Sequence, residues 1–355
     1  MTADLTKKFC FRPWEFMEIQ DDTTMYPCCP NWVNNVNYGR VDRDLNFDDT
    51  WNGEKAKRFR ASILDGSFRY CNKTQCPMIQ NGSLPNVQDI LDGNCGEQRR
   101  DILINKNLSS SGPEFINLCY DRSCNLRCPS CRQNFYFLSE KSNVDEYILK
   151  WQFQEKLIEF LYNIQTKAII NITGSGDPFA SKLFWDLLTS LDGRKNPNIQ
   201  IQLQTNGVLF TRENWNRLEK LHNNSISTII SLDAGTKKVY DRIRKGGDWN
   251  KLMRNLGFVD ELHKQKKLSW VRLDFVCQNR NFTEMRVFVD IAKQHGFNCY
   301  FSRIVNWGTY SSIEFNEHNI FDPSHANHKQ FLELINEDFG YDKVDFGNLT
   351  EFRTI

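Results

Sequence analysis

The chain has 355 residues, 40% of them hydrophobic and 25% charged, with 45 Lys+Arg against 44 Asp+Glu for a formal net charge of +1. That is the balance of a folded globular protein of one large or two medium domains, and near-zero charge argues against a general electrostatic grip on nucleic acid or anionic lipid. No uninterrupted apolar stretch reaches bilayer length, and the opening MTADLTKKFC lacks the apolar core of a signal peptide, so a cytoplasmic protein with no membrane and no nucleic-acid partner is expected.

Residues 1–100 are rich in Asn, Asp, Trp and Pro and carry few long periodic runs. PWEFMEIQDDTTMYPCC reads as a hairpin turning at Asp-Asp-Thr-Thr. DDTWNGEKAKRFRASILDGS reads as one helix of about fifteen residues from an Asp or Thr cap to the neighbourhood of Gly66. So small an α+β module would draw much of its stability from a metal. DILINKNLSSSGPE (101–114) has the Ser/Gly/Pro signature of a linker. From 115 onward short apolar strands alternate with amphipathic helices. The strands are FINLCY (115–120), KAIINIT (167–173), IQIQLQT (199–205), ISTIISLD (226–233), WVRLDFVC (270–277) and FNCYFSRI (297–304). Six such repeats predict an α/β fold whose parallel sheet curls towards a barrel, with chemistry at the carboxyl ends of the strands. Residues 311–355 read as a C-terminal helical segment.

Twelve cysteines are the unusual feature. A disulfide framework would require export and usually a much smaller chain, whereas cysteines at short spacings in a reducing compartment bind metal. Cys10, Cys28, Cys29, Cys71, Cys76 and Cys95 fall in the first module, Cys119, Cys124, Cys128 and Cys131 are bunched, and Cys277 and Cys299 stand alone. Two metal centres are expected, one in each module. After the strand at 115–120, Cys124-x3-Cys128-x2-Cys131 places three thiolates on one loop, enough for three corners of a cubane iron–sulfur cluster with the fourth iron open for chemistry. The same spacing suits a zinc site completed by Cys119 or a remote residue.

This loop resembles the radical SAM superfamily, whose hallmark is CxxxCxxC after the first strand of a partial (β/α)6 TIM-type barrel. The resemblance extends over residues 112–310. Gly174-Ser175-Gly176-Asp177-Pro178 looks like the family's Gly-Gly-Glu-Pro loop, which holds the amino group of S-adenosylmethionine (SAM); glycines let backbone carbonyls approach an ammonium. Thr205-Asn206-Gly207 and Ser231-Leu232-Asp233-Ala234 end the next two strands in the familiar way, and Tyr240-Asp-Arg-Ile-Arg244 resembles the segment whose arginine reaches the SAM carboxylate as a bidentate partner. Ser130 departs from an aromatic that often packs on adenine, and Ser175 and Asp177 replace Gly and Glu. Taken singly, these motifs also read as turns or solvated helix residues. The resemblance implies a SAM-binding 4Fe-4S cluster, reductive cleavage to a 5′-deoxyadenosyl radical, and an external one-electron donor such as flavodoxin or ferredoxin.

The first module resembles the SPASM/Twitch auxiliary-cluster domain, which usually follows the barrel and here precedes it. The matching ligands of one auxiliary 4Fe-4S cluster are Cys10, Cys28, Cys71 and Cys76; Cys29 could replace Cys28, Cys95 lies beyond the pattern, and a zinc ribbon-like site would use the same four cysteines. Cys277 ends its strand and could donate a hydrogen atom from the barrel mouth, or be a buried structural thiol. Arg303, Asn306 and Trp307 follow the last strand and are expected at the SAM or substrate pocket, and His318, His325 and His328 could bind metal or lie at the surface. Relatives with such domains modify ribosomal peptides, mature sulfatases or act on sugars. Because the chain begins almost at the auxiliary cluster, the layout suggests an oxidoreductase that oxidises or epimerises a sugar or small metabolite. The alternatives are a peptide- or protein-modifying maturase, and a non-catalytic iron–sulfur or zinc-binding interaction protein.

Overall fold

The computed structural model describes residues 4–41 and 46–354, and expectations that fall on 1–3, 42–45 and 355 lie outside them. Ten strands, mostly parallel, are interleaved with helices, which is the expected mixed α/β class. The chain forms two compact units interleaved in sequence, Met1–Asp121 with Ser139–Ser175 and Ser190–Ile201, and Arg122–Leu138 with Gly176–Thr189 and Gln202–Ile355.

In the first unit, β1 (Phe16–Ile19) and β2 (Thr24–Tyr26) form the expected antiparallel hairpin, extended by β3 (Gly39–Arg40). The turn closes through Thr23, whose N–H reaches the Gln20 carbonyl at 2.8 Å, and Asp22, which caps Thr24 N–H at 3.0 Å. β4 (Phe115–Leu118) lies parallel to β1, from Phe16↔Phe115 to Ile19↔Leu118, and β5 (Ala168–Ile172) lies parallel to β4. The hairpin therefore continues the sheet rather than standing as a separate module. The single helix of about fifteen residues expected within this stretch is two helices, Phe47–Trp51 and Glu54–Leu64. It breaks at Asn52-Gly53 because Gly53 takes an extended backbone as cap of the second helix. The linker stretch begins inside a helix, Glu97–Ile104. Arg60 is fully buried and holds these pieces together: Nε donates to the Pro13 carbonyl at 2.9 Å, Nη1 donates to Asn52 Oδ1 and the Leu108 carbonyl, and the guanidinium lies 4.9 Å from the Trp51 ring. Nε and Nη1 are satisfied by these acceptors, while Nη2 is buried without a hydrogen-bond partner and the guanidinium leans on the rings around it.

β6 (Ile199–Thr205) begins in the first unit and ends in the second. The second unit continues with β7 (Ile226–Ser231), β8 (Leu268–Cys277), β9 (Asn298–Arg303) and β10 (Val344–Asp345), each parallel to the next from β7 onward. The segment after 311 thus supplies a strand as well as the helices Ser312–His318 and His328–Ile335. β8 alternates strictly: Val271, Leu273, Phe275 and Cys277 are buried, and Phe275 packs on Phe288 of the helix Met285–His295. The intervening Trp270, Arg272, Asp274 and Val276 form the opposite, more polar row, as the two-residue strand period requires.

Candidate metal and cofactor sites

The loop that follows β4 is fixed before it reaches its cysteines. Cys124 N–H donates to the Tyr136 carbonyl at 3.0 Å, Leu138 N–H to Ser123 Oγ at 2.8 Å, and Asp177 N–H to the Ser123 carbonyl at 2.9 Å. Cys131 and Arg132 N–H both reach the Cys128 carbonyl at 2.9 Å, so the Cys-Pro-Ser-Cys turn folds the last two thiols back together. Cys124 and Cys128 are buried and Cys131 is exposed.

Each of the three sulfurs has its own donor. Leu126 N–H (3.4 Å) and Asn206 Nδ2 (3.8 Å) face Cys124, Arg244 Nη1 (3.6 Å) faces Cys128, and Arg132 Nη2 (3.4 Å) faces Cys131. Donors of this kind favour thiolates and tune a cluster from its outer shell. Burial opposes them, pushing Cys124 up to about 12 and raising Cys128 against the pull of Arg244. Metal insertion must therefore displace protons.

Arg244 is the centre of the arrangement. Its Nη2 pairs with Asp233 Oδ2 at 2.9 Å, both side chains being largely buried, while its Nε–H is buried with no partner. A buried donor left without an acceptor beside three thiols is what a SAM carboxylate would satisfy. Asp233 sits in the left-handed region (φ 58°), accepts from Val276 N–H at 2.8 Å, and is held from behind by Asn281 Nδ2 on its own carbonyl.

Asp177 is fully buried with its Oδ2 accepting from Thr205 Oγ1 (2.7 Å) and Asn206 N–H (2.9 Å) and its Oδ1 from Phe179 N–H (3.0 Å). It braces the loop and the strand end rather than presenting a carboxylate. Asn206 in turn donates to Asn125 Oδ1 at 2.9 Å, tying the end of β6 to the cysteine loop. In the first unit, Ser175 Oγ lies 3.0 and 3.1 Å from the carbonyls of Cys119 and Asp121, and a Cβ on Gly174 would stand 3.0 Å from the Cys119 sulfur. Glycine at 174 is required by that approach. Gly176 lies at the start of the second unit's segment and Ser231 ends β7 beside Asp274, half-buried.

Cys277 belongs to the buried row of β8, its sulfur 4.0 Å from the Met285 sulfur under the helix layer, the placement of a structural thiol. Asn306 uses its amide on its own turn, donating to the Tyr310 carbonyl (2.9 Å) and accepting from Gly308 N–H (3.0 Å). Arg303 pairs with Glu351 at 2.6 Å, and Trp307 is 61% exposed. His325 and His328 bond backbone groups, with Nε2 of one and Nδ1 of the other 3.3 and 2.7 Å from the Glu317 and Ile320 carbonyls.

In the first unit, Cys10, Cys28, Cys71 and Cys76 line one small pocket together with Trp32, Phe59, Phe68, Met78, Ile79 and Leu84. Cys29 is not among its walls; it lies near Glu18 instead, and burial pushes it up to about 11. Among the described residues no three His, Cys, Asp or Glu groups converge closely enough for a single ion. Four thiols around one apolar pocket are a donor set that a cluster or a zinc ion would accept.

Sequence reasoning missed the donors to the sulfurs, the Asp233–Arg244 pair and Arg60. The only sequence signal for the first was the run of arginines, Arg122, Arg127 and Arg132, threaded through the cysteines.

Comparison with known proteins identifies two domains. Residues 121–270 match the family described as the radical SAM superfamily, and residues 10–77 match an iron–sulfur cluster-binding domain, SPASM. Mycofactocin maturase MftC of Mycobacterium tuberculosis is 27% identical over 182 residues, 51% of this chain and 42% of the relative. GTP 3′,8-cyclase of Limosilactobacillus fermentum is 24% identical over 196 residues, 53% of each. The chain thus spans about half or less of the relatives it matches. The structure of Streptococcus suis SuiB bound to precursor peptide SuiA aligns with a TM-score of 0.40 at 13% identity, over 84% of this chain and 63% of that one. The two matched domains imply a catalytic and an auxiliary 4Fe-4S cluster together with SAM. Residues 121–270 thus carry a radical SAM superfamily domain, with a cluster-binding SPASM domain on its N-terminal side.

Proposed function

We propose that the protein is a radical SAM maturase that oxidatively modifies a peptide or protein substrate. One observation carries the SAM-cleaving part: three thiols on one loop, each with a hydrogen-bond donor, beside a buried Arg244 Nε–H that has no acceptor. When bound and reduced, the cluster and SAM supply a 5′-deoxyadenosyl radical, the species that abstracts a substrate hydrogen. Cys124, Cys128 and Cys131 would hold the iron, Arg244 would orient the SAM carboxylate, and Asp177 and Asn206 keep the two loops in register. Cys10, Cys28, Cys71 and Cys76 would hold a second site able to take up the electron that net oxidation releases. The maturase reading is supported by the matching relatives that carry that name; no observation favours the sugar or small-metabolite substrate that the N-terminal layout suggested.

The test is formation of 5′-deoxyadenosine from SAM and dithionite by the anaerobically reconstituted protein. Cys128→Ala is expected to abolish the product and to lower iron from about eight to about four per chain. Unchanged product in that variant would refute the assignment.

A further inference from the structure

Arg244 cannot grip a carboxylate with both arms of its fork. Its Nη2 is paired with Asp233 Oδ2 at 2.9 Å and its Nη1 faces the Cys128 sulfur at 3.6 Å, so the buried, unpartnered Nε–H is what remains to donate. A carboxylate has two oxygens, and burying one of them without a donor leaves a charged hydrogen bond unmade. The bidentate hold expected from the motif is therefore half filled by Arg244 in this chain, and a second buried donor is needed.

One stands a single helical turn away. Tyr240, in the helix Lys237–Ile243, is fully buried, and its hydroxyl has no hydrogen-bond partner among the described residues. The Arg244 N–H bonds the Tyr240 carbonyl at 2.7 Å, which sets the two residues one turn apart. The phenol is held in place from two sides. Its ring centre lies 5.4 Å from that of Trp249, and a Cβ on Gly247 would collide with the hydroxyl oxygen, so the bare backbone at 247 is what admits it. Burial raises the hydroxyl above its ordinary value, Arg244 pulls it down, and Cys128 and Asp233 push it up, so the guanidinium and both of its partners act on this oxygen. It keeps its proton at neutral pH and is available as a donor. A buried hydroxyl that bonds nothing is uncommon in a folded protein, because its lost bonds to water are not replaced.

From these two orphaned donors we infer that Tyr240 is a cofactor-binding residue: its O–H donates to the second oxygen of the SAM carboxylate, whose first oxygen takes the Arg244 Nε–H. This rests on the SAM-binding part of the proposed function and goes beyond it, because it divides the carboxylate between two side chains where the motif offers one. Gly247 is then a positioning residue, acting through the space it leaves for the phenol.

The test measures equilibrium binding of SAM to the anaerobically reconstituted protein and to Tyr240→Phe, a change that removes one oxygen and keeps the packed ring. The variant is expected to bind SAM about tenfold more weakly, the effect of losing one hydrogen bond to a charged group, with iron content and unfolding midpoint as in the parent. Binding of 5′-methylthioadenosine, which keeps the adenosyl part of SAM and has no carboxylate, is expected to be equal in the two. A merely structural tyrosine would not produce that split. Gly247→Ala crowds the hydroxyl without removing it; it is expected to show the same split, and it carries the test if Tyr240→Phe does not take up iron. Parent-like SAM affinity in a reconstituted Tyr240→Phe overturns the inference. So does an equal loss for SAM and 5′-methylthioadenosine, which would make the hydroxyl a packing group. A cluster midpoint potential that changes in the absence of SAM also overturns it, giving the hydroxyl to the Cys128 sulfur instead. A parent that binds no SAM would overturn the proposed function together with the inference, an outcome distinct from the three in which the parent binds and the inference alone falls.

Discussion

Arg244 combines three contacts that no other side chain could make together. Its Nη2 meets Asp233 at 2.9 Å, its Nη1 faces the Cys128 sulfur at 3.6 Å, and its Nε–H has no protein acceptor. The fork geometry fixes all three directions at once, whereas a lysine offers a point charge on a flexible stem. In Arg244→Lys the ammonium would follow Asp233 or the thiol, and the donor aimed at a carboxylate would be lost. We expect SAM affinity to fall at least tenfold, since a charge-assisted bond of about 1.5–3 kcal/mol is removed. Cluster content should survive, because Cys124, Cys128 and Cys131 are untouched. Equilibrium binding of SAM to the reconstituted variant, read beside its iron content, decides the matter. Parent-like affinity would show that the carboxylate is held elsewhere.

At the scale of the element, β8 shows how one strand serves two environments. Its buried row, Val271 to Cys277, packs on the helix layer, and its polar row carries Arg272 and Asp274, paired at 2.5 Å, with the Arg272 guanidinium 4.5 Å from the Tyr300 ring. Burial pushes Asp274 up to about 6, with Asp233 adding to the rise and Arg272 and Arg244 opposing it. The unfolded chain releases that proton near pH 4, so between about pH 4 and 6 the folded state binds more protons and stability falls as pH rises, levelling above. Between pH 5 and 6.5 we expect the parent to lose about 1 kcal/mol relative to Asp274→Asn, measured by urea unfolding of both. Parallel pH dependence in the two would place the titration elsewhere. The same strand shows what sequence can and cannot convey. Its extent and alternation were legible because the two-residue period is written in the residues. The side on which Cys277 falls was not, since period alone does not say which row meets helices. Asn306 shows a related ambiguity: a polar residue after a strand can face a ligand or close its own turn, and only tertiary context chooses.

For the molecule as a whole, motif order and strand phase made the family readable, while the grouping of the chain was not. A change of composition near residue 100 suggested a module that could stand apart. In the structure the hairpin is sewn into the sheet, β1 pairing in parallel with β4 over four residues and Glu114 N–H reaching the Glu15 carbonyl at 2.7 Å. Such pairing joins residues about a hundred positions apart, and nothing local in either strand records it. It has a consequence for dissection. Removing residues 1–111 would leave β4 as a bare edge, with one row of backbone donors and acceptors unpaired and the fully buried Ile116 and Leu118 stripped of neighbours on that side. An exposed apolar edge strand recruits other chains. We therefore expect residues 112–355 alone to aggregate, or to exchange the amides of β4 and β5 rapidly, even though every residue of the matched radical SAM region is present. Size-exclusion chromatography and hydrogen exchange on the truncated chain test this directly. A monomer with β4 and β5 protected as in the full protein would mean that the N-terminal strand adds a metal site to a fold already complete without it, and that the β1–β4 ladder contributes little to holding the barrel strands in place.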